Sequence, residues 1–343
     1  MIFKDLIWRG FYQAIKEIFL HKVILSNGVK FECSPGQTIL DAARSNNIAI
    51  EHSCKTGRCG ICVALVLKGQ SLPLRSEESL SLGFQDGKIL TCCRTVESDV
   101  YLDIQDLGEI GSLPVLTLPC RISNLEFLRS NVLLVTLRLP PSSNFKFIAG
   151  QYIELIHNGI RRSYSIANAP REDRCIELLI KKVNEGSMSD YLFNRAKPND
   201  LLRIEGPQGT FSYRENGSKN IIFIATGTGI APIKAILENF ALKKIQNKKF
   251  HVFWGACYME DIYLDLSKIR ADQCFVPVLS RDNVEFSVKG YVQDAVLSSG
   301  INLRESTVYA CGSEEMISAA AMLLIKNGLS PKRFFSDAFV SSN

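Results

Sequence analysis

The chain has 343 residues, 46% hydrophobic and 22% charged, with a net charge of +5. At roughly 150 residues per domain this means about two to three globular domains; it excludes a disordered chain, a collagen-like rod and a polytopic membrane protein. No Lys/Arg block marks a nucleic-acid footprint, and 11 cysteines, an odd number scattered outside one cluster, are no secreted disulfide framework.

Residues 1–21 form an N-terminal extension. Phe3, Ile7, Phe11, Ile15 and Ile18 fall on one helical face, and Asp5, Arg9, Gln13 and Lys16 on the other. A helix of this kind lies on a membrane or a partner; the alternative is a helix packed on the body or an extension without order, which the mixed charge favours. The apolar run is too broken for a signal peptide or a membrane span. With thiols expected in the reduced state, the cytoplasm is the expected compartment.

From 22 to 107 short apolar runs alternate with turns. Asn27-Gly28 between two such runs predicts a hairpin. Thr38 precedes a helical stretch and is placed to cap it. A cysteine-rich loop follows at 54–62, then a strand from Val63 to Leu67. Residues 108–117 read as a linker. Residues 118–218 carry several short β-patterned runs, including 132–139, 152–156 and 175–182, separated by Gly and Pro turns; a small antiparallel barrel is predicted. From 219 to 343 strands alternate with helices. Ile221–Ala225, His251–Trp254, Cys274–Leu279 and Val308–Cys311 are predicted strands, and Ile230–Leu242 and Glu314–Lys326 helices, as in a doubly wound parallel sheet. The whole reads as a multidomain α+β chain.

Cys54, Cys59 and Cys62 are spaced C-x4-C-x2-C, and Cys92 lies 30 residues further on. This is the plant-type spacing of a 2Fe–2S cluster, with Gly57 and Gly60 allowing a tight loop whose N–H groups face the sulfurs. Structural zinc also takes four thiolates, but the spacing favours the cluster. Cys93 could contest the fourth place; on a strand it would point away from Cys92. Thr226-Gly-Thr-Gly229 follows a predicted buried strand and opens a helix, the context of a phosphate-binding turn; by itself it is equally a plain strand–helix turn.

His52-Ser-Cys54 through Cys62, with Leu90-Thr-Cys92 and Ser98-Asp99-Val100, resembles a plant-type ferredoxin domain of β-grasp fold, over residues 22–106. Arg162-Ser-Tyr164-Ser165 resembles the R-x-Y-S motif of the ferredoxin–NADP reductase superfamily. Gly186-Ser-Met188-Ser189, Gly150-Gln-Tyr152 and Gly206-Pro-Gln-Gly209-Thr-Phe211 are similar to that family's further FAD segments. The resemblance implies a six-stranded antiparallel FAD-binding barrel. Arg162 would pair with the pyrophosphate, Tyr164 lie on the flavin and Ser165 bond its N5 edge, while Gly186, Met188 and Ser189 would receive the pyrophosphate.

In the nucleotide domain, Gly227, Thr228, Gly229 and Pro232 resemble the family's G-T-G-x-A-P turn, and Cys311-Gly312 its C-G motif beside the nicotinamide. Asp337 and Phe339 resemble its acidic-x-aromatic end, whose ring shields the flavin. Ser280-Arg281 stands where NADPH-using relatives hold the 2′-phosphate; a solvated loop arginine is the equal alternative. Cys257 stands where an arginine is usual. The resemblance places Ser165, Cys311 and Asp337 at the reacting atoms. The remaining cysteines are expected as small packing residues.

The implied function is an NADH- or NADPH-dependent reductase that passes electrons through FAD to the 2Fe–2S cluster and on to an electron-acceptor protein. The phrases at 289–296 and 335–339 resemble reductases that serve CDP-6-deoxyhexulose 3-dehydrase in dideoxysugar synthesis. The reductase component of a mono- or dioxygenase is the alternative. A non-catalytic redox sensor is a third reading, which intact motifs in all three regions oppose.

Overall fold

The computed structural model describes residues 20–77, 87–110, 113–245, 247–269 and 273–339. The predicted N-terminal helix lies outside them. They divide into two units, one ending at Ser112 and one starting at Leu113.

The first unit holds β1 (His21–Leu25), β2 (Lys30–Cys33), α1 (Ile39–Ser45), β3 (Val63–Lys68), β4 (Ser71–Pro73), β5 (Lys88–Leu90), β6 (Arg94–Val96) and β7 (Val100–Leu102). Five of these strands form one sheet in the order β2-β1-β7-β3-β5. β1 and β2 are joined by the Asn27–Gly28 turn, where Gly28 adopts φ +85° and its N–H donates to Leu25 O. The left-handed conformation is open to glycine at no steric cost. Thr38 caps α1: its Oγ1 accepts from Asp41 N at 3.1 Å. The buried face of α1, Ile39, Leu40, Ala42 and Ala43, packs with Val23, Leu25, Phe31, Leu90 and Leu102.

The second unit begins with β8 (Leu116–Arg129), β9 (Val132–Arg138), β10 (Tyr152–His157), β11 (Ile160–Ser165), β12 (Cys175–Lys181), α2 (Ser187–Asp190) and β13 (Leu201–Gln208). The six strands form an antiparallel sheet in the order β11-β10-β13-β8-β9-β12, and its two edges meet at the Ile166–Leu178 bridge. β8 starts inside the span read as a linker. Gly108–Ile110, also in that span, makes one short helical turn.

The rest comprises β14 (Asn220–Thr226), α3 (Ile230–Leu242), β15 (Lys249–Ala256), β16 (Cys274–Leu279), β17 (Val288–Lys289), α4 (Val292–Ser298), β18 (Ser306–Gly312), α5 (Glu314–Lys326) and β19 (Phe334–Ala338). These strands are all parallel, in the order β17-β16-β15-β14-β18-β19. β14 and β18 are neighbours although the chain runs outward from β14 through β17 before returning. Such a reversal opens a crevice at the carboxyl ends of the two strands, where ligands bind in α/β sheets. Those ends are Thr226 and Gly312. Phe223, Trp254, Phe250 and Tyr309 fill the core beneath.

Candidate functional site

The four predicted cluster thiols come together in the first unit. Cys54, Cys59 and Cys62 occupy the loop after α1, and Cys92 sits on the turn between β5 and β6. Thr91 ties the two segments together: its N and Oγ1 both donate to Cys62 O, at 3.0 and 3.2 Å. Its carbonyl in turn accepts from Leu40 N of α1.

The sulfurs form two pairs. Cys62 Sγ and Cys92 Sγ are 3.2 Å apart, and Cys59 is hydrogen-bonded to Cys54. The bond from Cys59 pushes the Cys54 thiol down, and that from Cys62 lowers Cys92. Their partners move the other way, through the protons they donate and through burial. Backbone N–H groups also point at sulfur. Those of Thr56 and Cys59 lie 3.4 Å from Cys54 Sγ, and that of Gly57 is directed at Cys92. Gly57 has φ +83°, and a Cβ there would lie 2.7 Å from Cys93 Sγ. Two pairs of thiolates suit two irons, each taking two. Cys54 and Cys59 are partly exposed, whereas Cys62 and Cys92 are buried.

Cys93 does not point away on a strand. Residues 91–93 form a turn, and Cys93 Sγ lies 3.6 Å from Cys92 Sγ and 3.3 Å from Ser76 O. A turn lacks the two-residue alternation that would have separated the two side chains. The other cysteines are not uniformly packing residues either. Cys33 and Cys120 are buried, but Cys175 is half-buried and Cys274 is exposed, because each starts a strand at the sheet margin.

In the second unit a cleft of about 900 Å³ opens over the crevice between β14 and β18, within the range of cofactor pockets. Gly227, Thr228, Gly312, Ser280 and Phe339 line it, together with Cys257 and Tyr291. Lys181 and Val183, at the end of β12 and just before the Gly186 turn, line the same cleft. It therefore joins the antiparallel sheet to the parallel one.

The Gly227 turn is built to face the cleft. Gly227 has φ +54° and open space where a Cβ would stand. Its carbonyl is held from beneath by Trp254 Nε1 at 3.1 Å and Tyr263 Oη at 3.4 Å. Neither brace was predicted, since nothing in the sequence ties Trp254 and Tyr263 to a turn so far upstream. Gly229 is buried against β18, and Pro232 is buried in the first turn of α3. Phe339 N donates to Gly312 O at 2.8 Å, which sets the half-exposed ring at the cleft.

Cys311 lies under this turn, fully buried and outside the lining. Burial, with Asp337 opposite it in the β18–β19 ladder, pushes its thiol well up. Asp337 is itself buried. Arg281 is exposed; its guanidinium is hydrogen-bonded to Tyr258, which raises its pKa, and its backbone N–H donates to Cys257 O. Ser280 N donates to Ala256 O at 3.0 Å.

Arg162, Tyr164 and Ser165 occupy β11, with Ser165 opposite Tyr152 on β10. They lie outside the cleft lining. Arg162 and Tyr164, two residues apart, share one face of the strand. Burial pushes the Tyr164 hydroxyl up to about 12, against the opposing effect of Arg162. Gly186 caps the four-residue α2. Met188 and Ser189 are buried there, and Ser189 Oγ accepts from Val183 N at 3.0 Å, closing the loop.

These features define a flavin- and iron–sulfur-dependent NAD(P)H reductase. Three family models match the chain: a 2Fe-2S iron-sulfur cluster binding domain over residues 23–97, an oxidoreductase FAD-binding domain over 119–213 and an oxidoreductase NAD-binding domain over 223–322.

The chain is 42% identical to the CDP-6-deoxy-L-threo-D-glycero-4-hexulose-3-dehydrase reductase of Yersinia pestis, over 92% of its own length and 97% of the relative's. It is 31% identical to terephthalate 1,2-dioxygenase reductase component 1 of a Comamonas species, over 93% and 97%. An Amycolatopsis cytochrome P450 reductase has a similar structure, with a TM-score of 0.72 at 27% identity over 94% of this chain and 99% of that one. The chain belongs to this family of ferredoxin-domain reductases, with a ferredoxin-reductase-like fold. It is an oxidoreductase that carries electrons from NAD(P)H through FAD to a 2Fe–2S cluster and on to a partner protein. No helix among the described residues is long and apolar enough to cross a membrane.

Proposed function

We propose that the acceptor is a CDP-6-deoxyhexulose 3-dehydrase, the partner in the name of the 42% identical relative; the oxygenase reductases stand lower, at 31% and below. Three finer architectures accompany this reading: a β-grasp domain for the cluster, a barrel for FAD and a doubly wound domain for the nucleotide. Their proposed bounds are 22–107, 118–218 and 219–343.

FAD held here would supply the conversion between a two-electron hydride donor and a one-electron cluster. The single observation that carries the route is the cleft shared by Lys181 and Val183 with Gly227, Thr228 and Phe339. Gly227, Thr228 and Gly312 hold the nucleotide's phosphates through backbone N–H groups, with the carbonyl of Gly227 held back by Trp254 and Tyr263. Arg162 neutralises the FAD pyrophosphate beside the Gly186 turn, with Met188 and Ser189 shaping that turn. Tyr164 would lie against a bound flavin and Ser165 would bond its edge. Phe339, at the cleft, would shield a bound flavin. Cys311 and Asp337 act from below the turn, by packing and charge. Gly229 and Pro232 shape the turn, and Ser280 and Arg281 meet the adenosine end of the nucleotide. Cys54, Cys59, Cys62 and Cys92 hold the cluster, and the partly exposed Cys54–Cys59 end faces the acceptor.

The test is reconstitution. Purified CDP-6-deoxyhexulose 3-dehydrase should turn over with NAD(P)H and this protein, while a Rieske oxygenase component should be reduced far more slowly. The reverse preference would refute the dehydrase assignment.

A further inference from the structure

One polar cluster lies outside every motif. Lys234, in the second turn of α3, donates to three acceptors: Ala167 O at 2.9 Å, Glu177 Oε2 at 2.9 Å and Glu238 Oε1 at 2.6 Å. An ammonium has three donors, so all are used. The other oxygen of Glu238 accepts from Ala169 N at 2.9 Å, and the other oxygen of Glu177 pairs with Arg171 at 2.8 Å. The Glu177 backbone is engaged as well: its carbonyl accepts from Ala167 N and its N–H donates to Asn168 Oδ1. The Lys234, Glu177 and Glu238 side chains are 13%, 16% and 21% exposed, so the network is shielded from solvent.

The ends of this network matter. Ala167 is two residues beyond Ser165 on the flavin side, and Lys234 is one helical turn beyond the Gly227–Gly229 turn on the nucleotide side. Helix α3 carries that turn as a rigid element, so a clamp on Lys234 and Glu238 fixes the turn relative to the strand end at Ser165. Hydride transfer is sensitive to such placement. The C4–H bond of the nucleotide breaks as the N5–H bond of the flavin forms, and the electron pair travels with the hydrogen. The two heavy atoms must come within about 3–3.5 Å, and a misplacement of about 1 Å costs on the order of 100-fold.

We propose that Lys234, with Glu177 and Glu238, is a positioning clamp that sets the hydride-transfer distance between the nucleotide turn and the flavin strand. It rests on the FAD and nucleotide sites proposed above. A surface ion pair would contribute little; this one joins a helix to two segments of another sheet, with every donor of Lys234 committed.

The experiment uses the full-length holoprotein. Flavin bleaching is followed by anaerobic stopped-flow with NADH, NADPH and NADH deuterated at C4, in Lys234→Met and in the milder Glu238→Gln, which keeps the side-chain shape. Melting of the apoprotein of each variant is measured alongside. The expected result is a limiting bleaching rate lowered about 10-fold or more in Lys234→Met, and less in Glu238→Gln, with the nucleotide dissociation constant changed by less than about 3-fold and a larger deuterium isotope effect. Should Lys234→Met fail to fold, Glu238→Gln decides. A lower apoprotein melting temperature with unchanged bleaching rate and isotope effect would overturn the clamp and leave the cofactor sites standing. A wild-type holoprotein that neither nucleotide bleaches would overturn both.

Discussion

Gly229→Ala tests whether the nucleotide turn must sit hard against β18. Gly229 has φ −59°, so alanine brings no backbone strain. The obstacle is space. A Cβ would overlap Cys311 O and lie 2.6 Å from the Cys311 carbonyl carbon and 3.0 Å from Gly312 Cα. Carbon atoms in contact sit about 3.5–4.0 Å apart, so the turn must retreat from the strand by about 1 Å. Both neighbours are backbone and cannot rotate aside. Overpacking of this kind costs about 1–3 kcal/mol. At roughly 2–4 °C per kcal/mol for a domain of 150–250 residues, the Leu113–Asn343 unit should melt about 2–12 °C lower. The same retreat moves the phosphate-binding N–H groups and should slow flavin bleaching by NAD(P)H on the order of 100-fold. Calorimetry and anaerobic stopped-flow read the two effects. A variant that melts and bleaches like the wild type would show that the turn is free to move and need not sit against β18.

Cys92→Ala should abolish iron and acid-labile sulfide in the purified protein, whereas Cys93→Ala should keep the full complement; loss in both would make Cys93 a required ligand. Arg281→Ala should raise the KM for NADPH more than that for NADH, and equal effects would remove the 2′-phosphate role. Lys248 holds the Glu215 carboxyl at about 2, helped by the Tyr213 hydroxyl and Gly217 N–H. A depressed carboxylate stabilises the fold above its unfolded value of about 4.3 and ceases to as pH falls toward about 2. Glu215 is 62% exposed, so solvent screens the gain to below about 1 kcal/mol. Lys248→Met should therefore be less stable than wild type at pH 7 in urea unfolding, by an amount that shrinks below pH 4; a pH-independent deficit would contradict the pairing.

Local chemistry made much of the fold legible. Asn27-Gly28 could form only a tight turn between its two apolar runs, and Thr38 carried the oxygen a helix start needs. The thiol spacing pointed to four cysteines that the structure draws into two pairs. Other features depend on distant partners. β8 was hidden because its 14 residues mix exposed polar positions with apolar ones and include Pro119. Cys93 was misplaced because a turn replaced the assumed strand. The Lys234 clamp was invisible because its acceptors lie 57 and 67 residues away as well as on its own helix. The bracing of Gly227 by Trp254 and Tyr263 likewise needs the β14–β15 register to exist first.

Reducing equivalents enter from a nicotinamide and reach a two-iron centre. Anaerobic titration of the purified protein with NADH and NADPH, followed by visible absorbance and low-temperature EPR, tests this most directly. The expected result is bleaching of a flavin band and of a cluster band, with one spin-half signal per chain that Cys54→Ala removes. A colourless protein that carries zinc, or a flavin that bleaches without any cluster signal, would contradict it.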